Sequence, residues 1–258
     1  MKPKENIQSS LSLQRYFMTL SYDGGAYHGW QIQPNGDSVQ ARLEHALTLL
    51  LRHPTEVVGA GRTDAGVHAR KMIAHFEAFP IMDCAGLTFK MNRLLPRDIS
   101  VSKIEPVDNS MHARFSAIER TYHYYIHTAK DPFCRTYSCE LHYPLDFPLM
   151  NQAAARLMQY EDFGAFCKSN SDVKTTICHI TKAAWHQTSP TEWYFEISAN
   201  RFLRNMVRAI VGTLIEVGRH RLDLNGFCRV IENGKRTGAG ESMPGNALFL
   251  EDVKYPNM

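Results

Sequence analysis

The apolar residues of this chain switch between a period of two and a period near 3.6 in a set order, and that order restricts its possible folds more than any other feature. Arg15 to Tyr22 alternates apolar and polar residues as a strand does, and Asp23-Gly24-Gly25 turns it. Leu43, Ala46, Leu47, Leu50 and Leu51 recur at helical spacing behind a cap of Asp37 with Gln40, which predicts a helix over 38–52. Glu56 to Val58 leads into a glycine-rich turn, Lys71 to Ala78 alternates as a strand, Ala85 to Leu94 reads as a helix and Ile99 to Val107 as a strand. The order is β-α-β-β-α-β, the split βαβ pattern.

The second half repeats it. Arg120 to Thr128 reads as a strand, Leu149 to Gln159 as a helix, Thr176 to His186 and Glu192 to Ser198 as paired strands, Phe202 to Val217 as a long helix and Ala247 to Val253 as a last strand, with a short extra helix near Leu224 to Ile231. The expected fold is α+β: two βαββαβ halves of the ferredoxin or RRM-like kind, each an antiparallel sheet flanked by helices, with a cleft between them. A flexible polar arm is expected over 1–12, an N-terminal half over 13–110 and a C-terminal half over 111–258. The length of 258 residues suits two units of about 100 to 150 residues each.

Composition excludes several classes. Hydrophobic residues at 44% and charged residues at 21% are values of a folded soluble protein rather than a disordered one. The formal charge is only +3, so affinity for a polyanion has to come from clustering of basic residues. The cysteines Cys84, Cys134, Cys139, Cys167, Cys178 and Cys228 contain no CxxC pair, which points to reduced thiols in the cytoplasm. Cys139 and His142 form a CxxH with no second pair to complete a zinc site, so no metal is expected. The polar N-terminus and the lack of any run of 18 apolar residues argue against secretion and against a membrane span.

Three segments carry candidate chemistry. The first, GAGRTDAGVHA at 59 to 69, sets Asp64 in a turn punctuated by glycines, which permit positive φ and close approach of a ligand. A dinucleotide fingerprint fails because Asp64 occupies the third glycine position, where it would repel a pyrophosphate, and a P-loop fails because Val67 and His68 follow Gly66. Arg62 is placed to pair with Asp64; the plain alternative is that Asp64 only hydrogen-bonds its own turn.

The second lies in the helix predicted from Phe202. Leu203, Met206, Val207, Ile210, Leu214 and Val217 line one face, and Arg201, Arg204 and Arg208 share the opposite one. No acid occurs between 199 and 215, so these arginines need carboxylates or phosphates from elsewhere, unless they form a solvated face. Gly212, beside them, would admit another strand or a ligand backbone. The third segment, HARFSAIERTYHYY at 112 to 125, interleaves cations with aromatics: Tyr122 and Tyr124 share one sheet face, and His123 and Tyr125 the other. Exposed aromatics beside arginines suit splayed nucleobases, although strand tyrosines also serve as core.

These segments together resemble the tRNA pseudouridine synthase A family, and the match runs from Tyr16 to Tyr255. The stretches that carry it are LSYDGGAYHGWQIQP at 20 to 34, GAGRTDAGVHA at 59 to 69, ARFSAIERTYHYYI at 113 to 126 and FLRNMVRAIVGTLIEVG at 202 to 218. The resemblance implies an isomerase that needs no cofactor and converts uridine to pseudouridine at positions 38, 39 and 40 in the anticodon stem-loop of tRNA, acting in the cytoplasm as a homodimer away from membranes. It further implies that Asp64 is the nucleophile, that Tyr122 stacks on the target base and that Arg208 pairs with the aspartate. Arg62 would engage the flipped nucleotide or its phosphate, and Arg201, Arg204, Arg219, His220 and Arg221 would contact phosphates. Ala247, where the family usually has glycine, and Cys178, where it often has arginine, depart from the pattern. Two rivals are weighed: a non-catalytic RNA-binding protein with two RRM-like sheets, which leaves Asp64 unexplained, and an aspartate-based hydrolase, which would want a second acid or a metal cluster beside Asp64.

Overall fold

The computed structural model describes residues 12–34, 36–169 and 173–256; the predicted arm lies outside these apart from residue 12. In the first half the chain forms β1 (Gln14–Tyr22), α1 (Val39–Leu51), β2 (Val58–Gly59), β3 (His68–Ala78), α2 (Cys84–Leu94) and β4 (Ile99–Pro106). The second half gives β5 (Glu119–His127), β6 (Cys139–Glu140), α3 (Phe147–Arg156), β7 (Ile180–Gln187), β8 (Glu192–Ala199), α4 (Met206–Gly218), α5 (Leu224–Glu232) and β9 (Leu248–Lys254). Nearly every element expected from hydrophobic period is present.

The expected pair of separate sheets is instead one sheet, in the order β4-β1-β3-β9-β5-β8-β7, with β2 on β3 and β6 on β5. The join is a short parallel pairing of His68 with Phe249 and Ala69 with Leu250. Pairing β3 with β9 satisfies backbone groups that two free sheet edges would leave exposed. All other neighbours on the main path are antiparallel. On β5, Arg120, Tyr122, Tyr124 and Ile126 are buried while the residues between them are half-buried, the alternation of a sheet covered on one face.

Two local expectations are corrected. Helix α1 is capped by Ser38, whose Oγ accepts from the Ala41 amide at 3.3 Å; Asp37 instead accepts from the Ser38 amide and pairs with Arg42. Helix α4 begins at Met206 rather than Phe202, because Asn205 is left-handed with φ 67° and the Arg204 carbonyl accepts from the Lys168 amide at 3.0 Å. The backbone of 201–205 therefore runs as a loop, and Arg201 and Arg204 are not on a helix face.

His75 on β3 ties the sheet to the turn before β5: its Nδ1 accepts from the Ala113 amide at 3.1 Å, so the proton of the neutral ring sits on Nε2. Burial, helped by the charges of Arg15 and His112, lowers its pKa from 6.5 to about 4. The unfolded chain takes up a proton near pH 6.5 and the folded chain resists it, so stability is whole above 6.5 and falls as pH drops toward 4. The loss on this residue reaches up to about 3 kcal/mol. Urea denaturation of His75→Gln across that window should show a shallower fall with acid than the parent; an equal fall would contradict a neutral His75.

Candidate active site

Asp64 lies in the loop between β2 and β3, and the segment following β1 holds that loop from below. Thr63 is buried, its Oγ1 2.9 Å from the Tyr22 hydroxyl, and its carbonyl accepts from the Trp30 amide at 3.2 Å. The Asp64 carbonyl accepts from the Val67 amide at 3.1 Å, closing the turn, and Gly66 takes φ +76°, which explains a glycine there. The stretch from 20 to 34, read in sequence as a strand end, a turn and part of the family likeness, is thus the cradle of the Asp64 turn.

The carboxylate meets its counter-ion across 144 positions of sequence, with Arg208 Nη1 donating to Oδ2 at 3.2 Å. The same guanidinium donates from Nε to the Met243 carbonyl at 2.5 Å, so both edges of the planar fork are used. Segment 239–243 reaches α4 because Gly212 has no side chain: a Cβ there would lie 1.9 Å from the Glu241 carbonyl oxygen. Protein backbone, not ligand, fills the space the sequence leaves beside Gly212. Arg204, far more exposed, brings Nε to 3.9 Å from Asp64 Oδ1.

Tyr122 lies beside this pair. Its hydroxyl is pushed far above the usual tyrosine range by burial; Arg120 pulls against that shift and the Asp64 carboxylate adds to it. The ring keeps only 9% of its exposure and packs edge-on against Phe202, centroids 5.2 Å apart. Tyr124 is wholly buried, its hydroxyl donating to the Pro244 carbonyl at 3.0 Å. Of the two readings left open for these tyrosines, Tyr124 follows the core one, and Tyr122 is buried against Phe202.

The other predicted residues divide. Arg62 is exposed and has no ion pair among the described residues; the carboxylate it was expected to hold is taken by Arg208. Arg201 donates to the Thr175 carbonyl at 3.4 Å. Arg219 and Arg221 stand at the other end of α4, about 16 Å of helix axis from Arg208. There both pair with Glu216, at 3.1 and 3.8 Å, and Arg219 lies over the Tyr143 ring. His220 sits 3.5 Å from Asp146. Cys178, one of the departures, is buried near Arg201 with its thiol pushed up to about 11 by burial, and Ala247 is buried just before β9; all six cysteines are free thiols.

Comparison with known proteins identifies the family of the chain. A family model described as tRNA pseudouridine synthase matches residues 153–256. The chain is 57% identical over 248 residues to the tRNA pseudouridine synthase A of Bacteroides fragilis, covering 95% of this chain and 98% of that one. The Bacteroides thetaiotaomicron protein of that name is 56% identical, covering 95% and 91%, and the Porphyromonas gingivalis one 50% identical, covering 95% and 98%. The chain belongs to the tRNA pseudouridine synthase A family.

One residue that organises this member of the tRNA pseudouridine synthase A family was not singled out by its sequence. Arg120, at the start of β5 and buried, donates from Nη1 to the carbonyls of Ala117 and Asn200 at 2.8 and 2.7 Å, and from Nη2 to those of Ala60 and Arg114 at 2.9 and 2.5 Å. Burial lowers its pKa, and four carbonyl dipoles take the place of a carboxylate partner. It joins the Asp64 loop to the loop that carries Arg201 and Arg204. In sequence it directly follows Glu119, with no pattern to distinguish it from a surface arginine. Arg120→Met strands these carbonyls and should cost about 3 kcal/mol or more in urea denaturation, with Arg120→Lys recovering part through its three donors. A loss below 1 kcal/mol for Arg120→Met would show that the clamp is dispensable.

Proposed function

We propose that this chain isomerises uridine to pseudouridine at positions 38, 39 and 40 in the anticodon stem-loop of tRNA, with Asp64 as the nucleophile and without a cofactor. The observation that carries this reading is the Asp64–Arg208 pair at 3.2 Å beside Tyr122, inside a member of a tRNA pseudouridine synthase family. Residues 13–110 and 111–258 are read as the two halves, with the working cleft where the Asp64 loop of one meets α4 of the other. The working form is read as a cytoplasmic homodimer; among the described residues no helix is long and apolar enough to cross a membrane.

The reaction breaks the C1′–N1 bond, turns the uracil, and forms C1′–C5; the proton on C5 leaves and N1 gains one. A carboxylate at the ribose can start this by adding at C1′ or by taking the 2′ proton to give a glycal. In either route the anion must be held, oriented and kept from forming a hydrogen bond to water in place of substrate, which a two-edged guanidinium does better than a point charge. The detached ring needs a surface indifferent to its in-plane angle, and an aromatic face provides one. Tyr122 is read in that role, its largely buried ring meeting Phe202 edge-on at the wall of the site. Arg62, Arg201 and Arg204 surround the Asp64 loop and would hold the flipped nucleotide and its phosphates, while Arg219 and Arg221 would meet backbone further along the tRNA.

Tritium release from tRNA labelled at uracil C5, followed by mapping of the modified positions, tests the reaction; release confined to positions 38, 39 and 40 is expected, and no release from the unaltered protein would reject the function. Arg208→Lys should lower kcat by about 10- to 100-fold, because one ammonium cannot serve both Asp64 and the Met243 carbonyl. Tyr122→Phe should keep the stacking surface and Tyr122→Leu lose most turnover; equal rates for the two would remove Tyr122 from that role.

A further inference from the structure

Phe115 is 76% exposed, yet it stands on a turn built with unusual care. The Ser116 amide donates to the His112 carbonyl at 2.9 Å, and the His112 amide to Ser116 Oγ at 2.9 Å. His112 Nδ1 accepts from the amides of Arg114 and Phe115 at 3.1 and 3.3 Å. Below the turn, the Ala113 carbonyl accepts from the Tyr255 hydroxyl at 2.6 Å, and its amide donates to His75. The His112 ring lies 4.4 Å from the Phe115 ring at 35°, and the Arg114 guanidinium carbon is 5.7 Å from the centre of that ring. The turn is fastened to the Asp64 loop itself, since Arg120 Nη2 bonds both the Arg114 and the Ala60 carbonyls.

The bonds to His75, Arg120 and Tyr255 hold the backbone of the turn in the fold, but none of them involves the exposed Phe115 ring. An exposed phenylalanine adds little to a core, whereas holding it by backbone bonds on both sides removes the entropy cost of ordering it later. A flat ring with a guanidinium beside it is the surface on which an unpaired base stacks, because stacking tolerates any base and the cation meets the phosphate or the π-face. Arg62, Arg114 and Arg204, all exposed, surround the same loop and give it the charge that RNA requires.

We propose that Phe115, with His112 and Arg114, is a second base platform that stacks on an unpaired nucleotide of the tRNA next to the target uridine. It sets register on the substrate, while Tyr122 serves the reacting ring. This inference rests on the reaction proposed above, and its test separates the two.

The experiment is steady-state tritium release from a tRNA anticodon stem-loop by the unaltered chain, Phe115→Leu and Phe115→Trp, with intact loops and with loops carrying one abasic nucleotide at a time. Phe115→Leu should raise KM about tenfold with kcat within about twofold, the loss of one stacked base. Phe115→Trp should restore KM, and at one abasic position the unaltered chain and Phe115→Leu should have equal KM. Because the ring is exposed, the melting temperatures of the variants should match the parent. A KM for Phe115→Leu within twofold of the parent on every substrate overturns the platform, as does a KM loss that comes with a change of oligomeric state, which would assign the ring to contact between copies. Absence of tritium release by the unaltered chain would instead overturn the reaction itself.

Discussion

Four carbonyl groups converge on the buried guanidinium of Arg120, and that convergence ties the Asp64 loop to the turn before β5 and to the loop that leads into α4. Asp64 belongs to a loop between β2 and β3, Tyr122 to β5 and Arg208 to α4, elements that no local propensity brings together. A buried cation without hydrogen-bond partners would be intolerable, so the carbonyls of residues 60, 114, 117 and 200 must stay within reach of it in the folded state. The requirement of one side chain becomes a constraint on three segments of backbone.

With that frame fixed, the site divides its work by polarity. The anion and its counter-ion, Asp64 and Arg208, are about three-quarters buried and geometrically constrained, while Arg204 remains 61% exposed and free to exchange partners. Tyr122 and Phe202 form an apolar wall beside the pair. A carboxylate held between a fixed fork and an aromatic wall suits chemistry at a ribose carbon, and mobile arginines at the rim suit phosphates.

Much of this was legible in the sequence, for identifiable reasons. Alternation along β1, β5 and β8 and the helical spacing of leucines in α1 follow directly from burial of one face, so those elements fall where the pattern puts them. The absence of acids near Arg208 left a distant carboxylate, a phosphate or solvent as its partner, and the fold brings it to Asp64. What escaped depends on non-local facts. Phe202 and Leu203 continue the helical period of α4, yet the left-handed Asn205 interrupts the backbone, and no pattern of apolar residues reports a single φ. The fusion of the two expected sheets depends on two residue pairs between β3 and β9, and the burial of Tyr124 depends on a helix packed over it. Arg120 escaped because a cation bonded only to carbonyls leaves no acidic partner to find in the sequence.

The central claim is that Asp64 performs chemistry and is not needed to hold the RNA. It is tested most directly on Asp64→Asn, an isosteric change, by measuring tRNA affinity and the single-turnover rate of pseudouridine formation on the same preparation. Affinity within a few-fold of the unaltered chain and no detectable product are expected. Product formed at the normal rate, or a loss of binding that alone explains the loss of product, would contradict it.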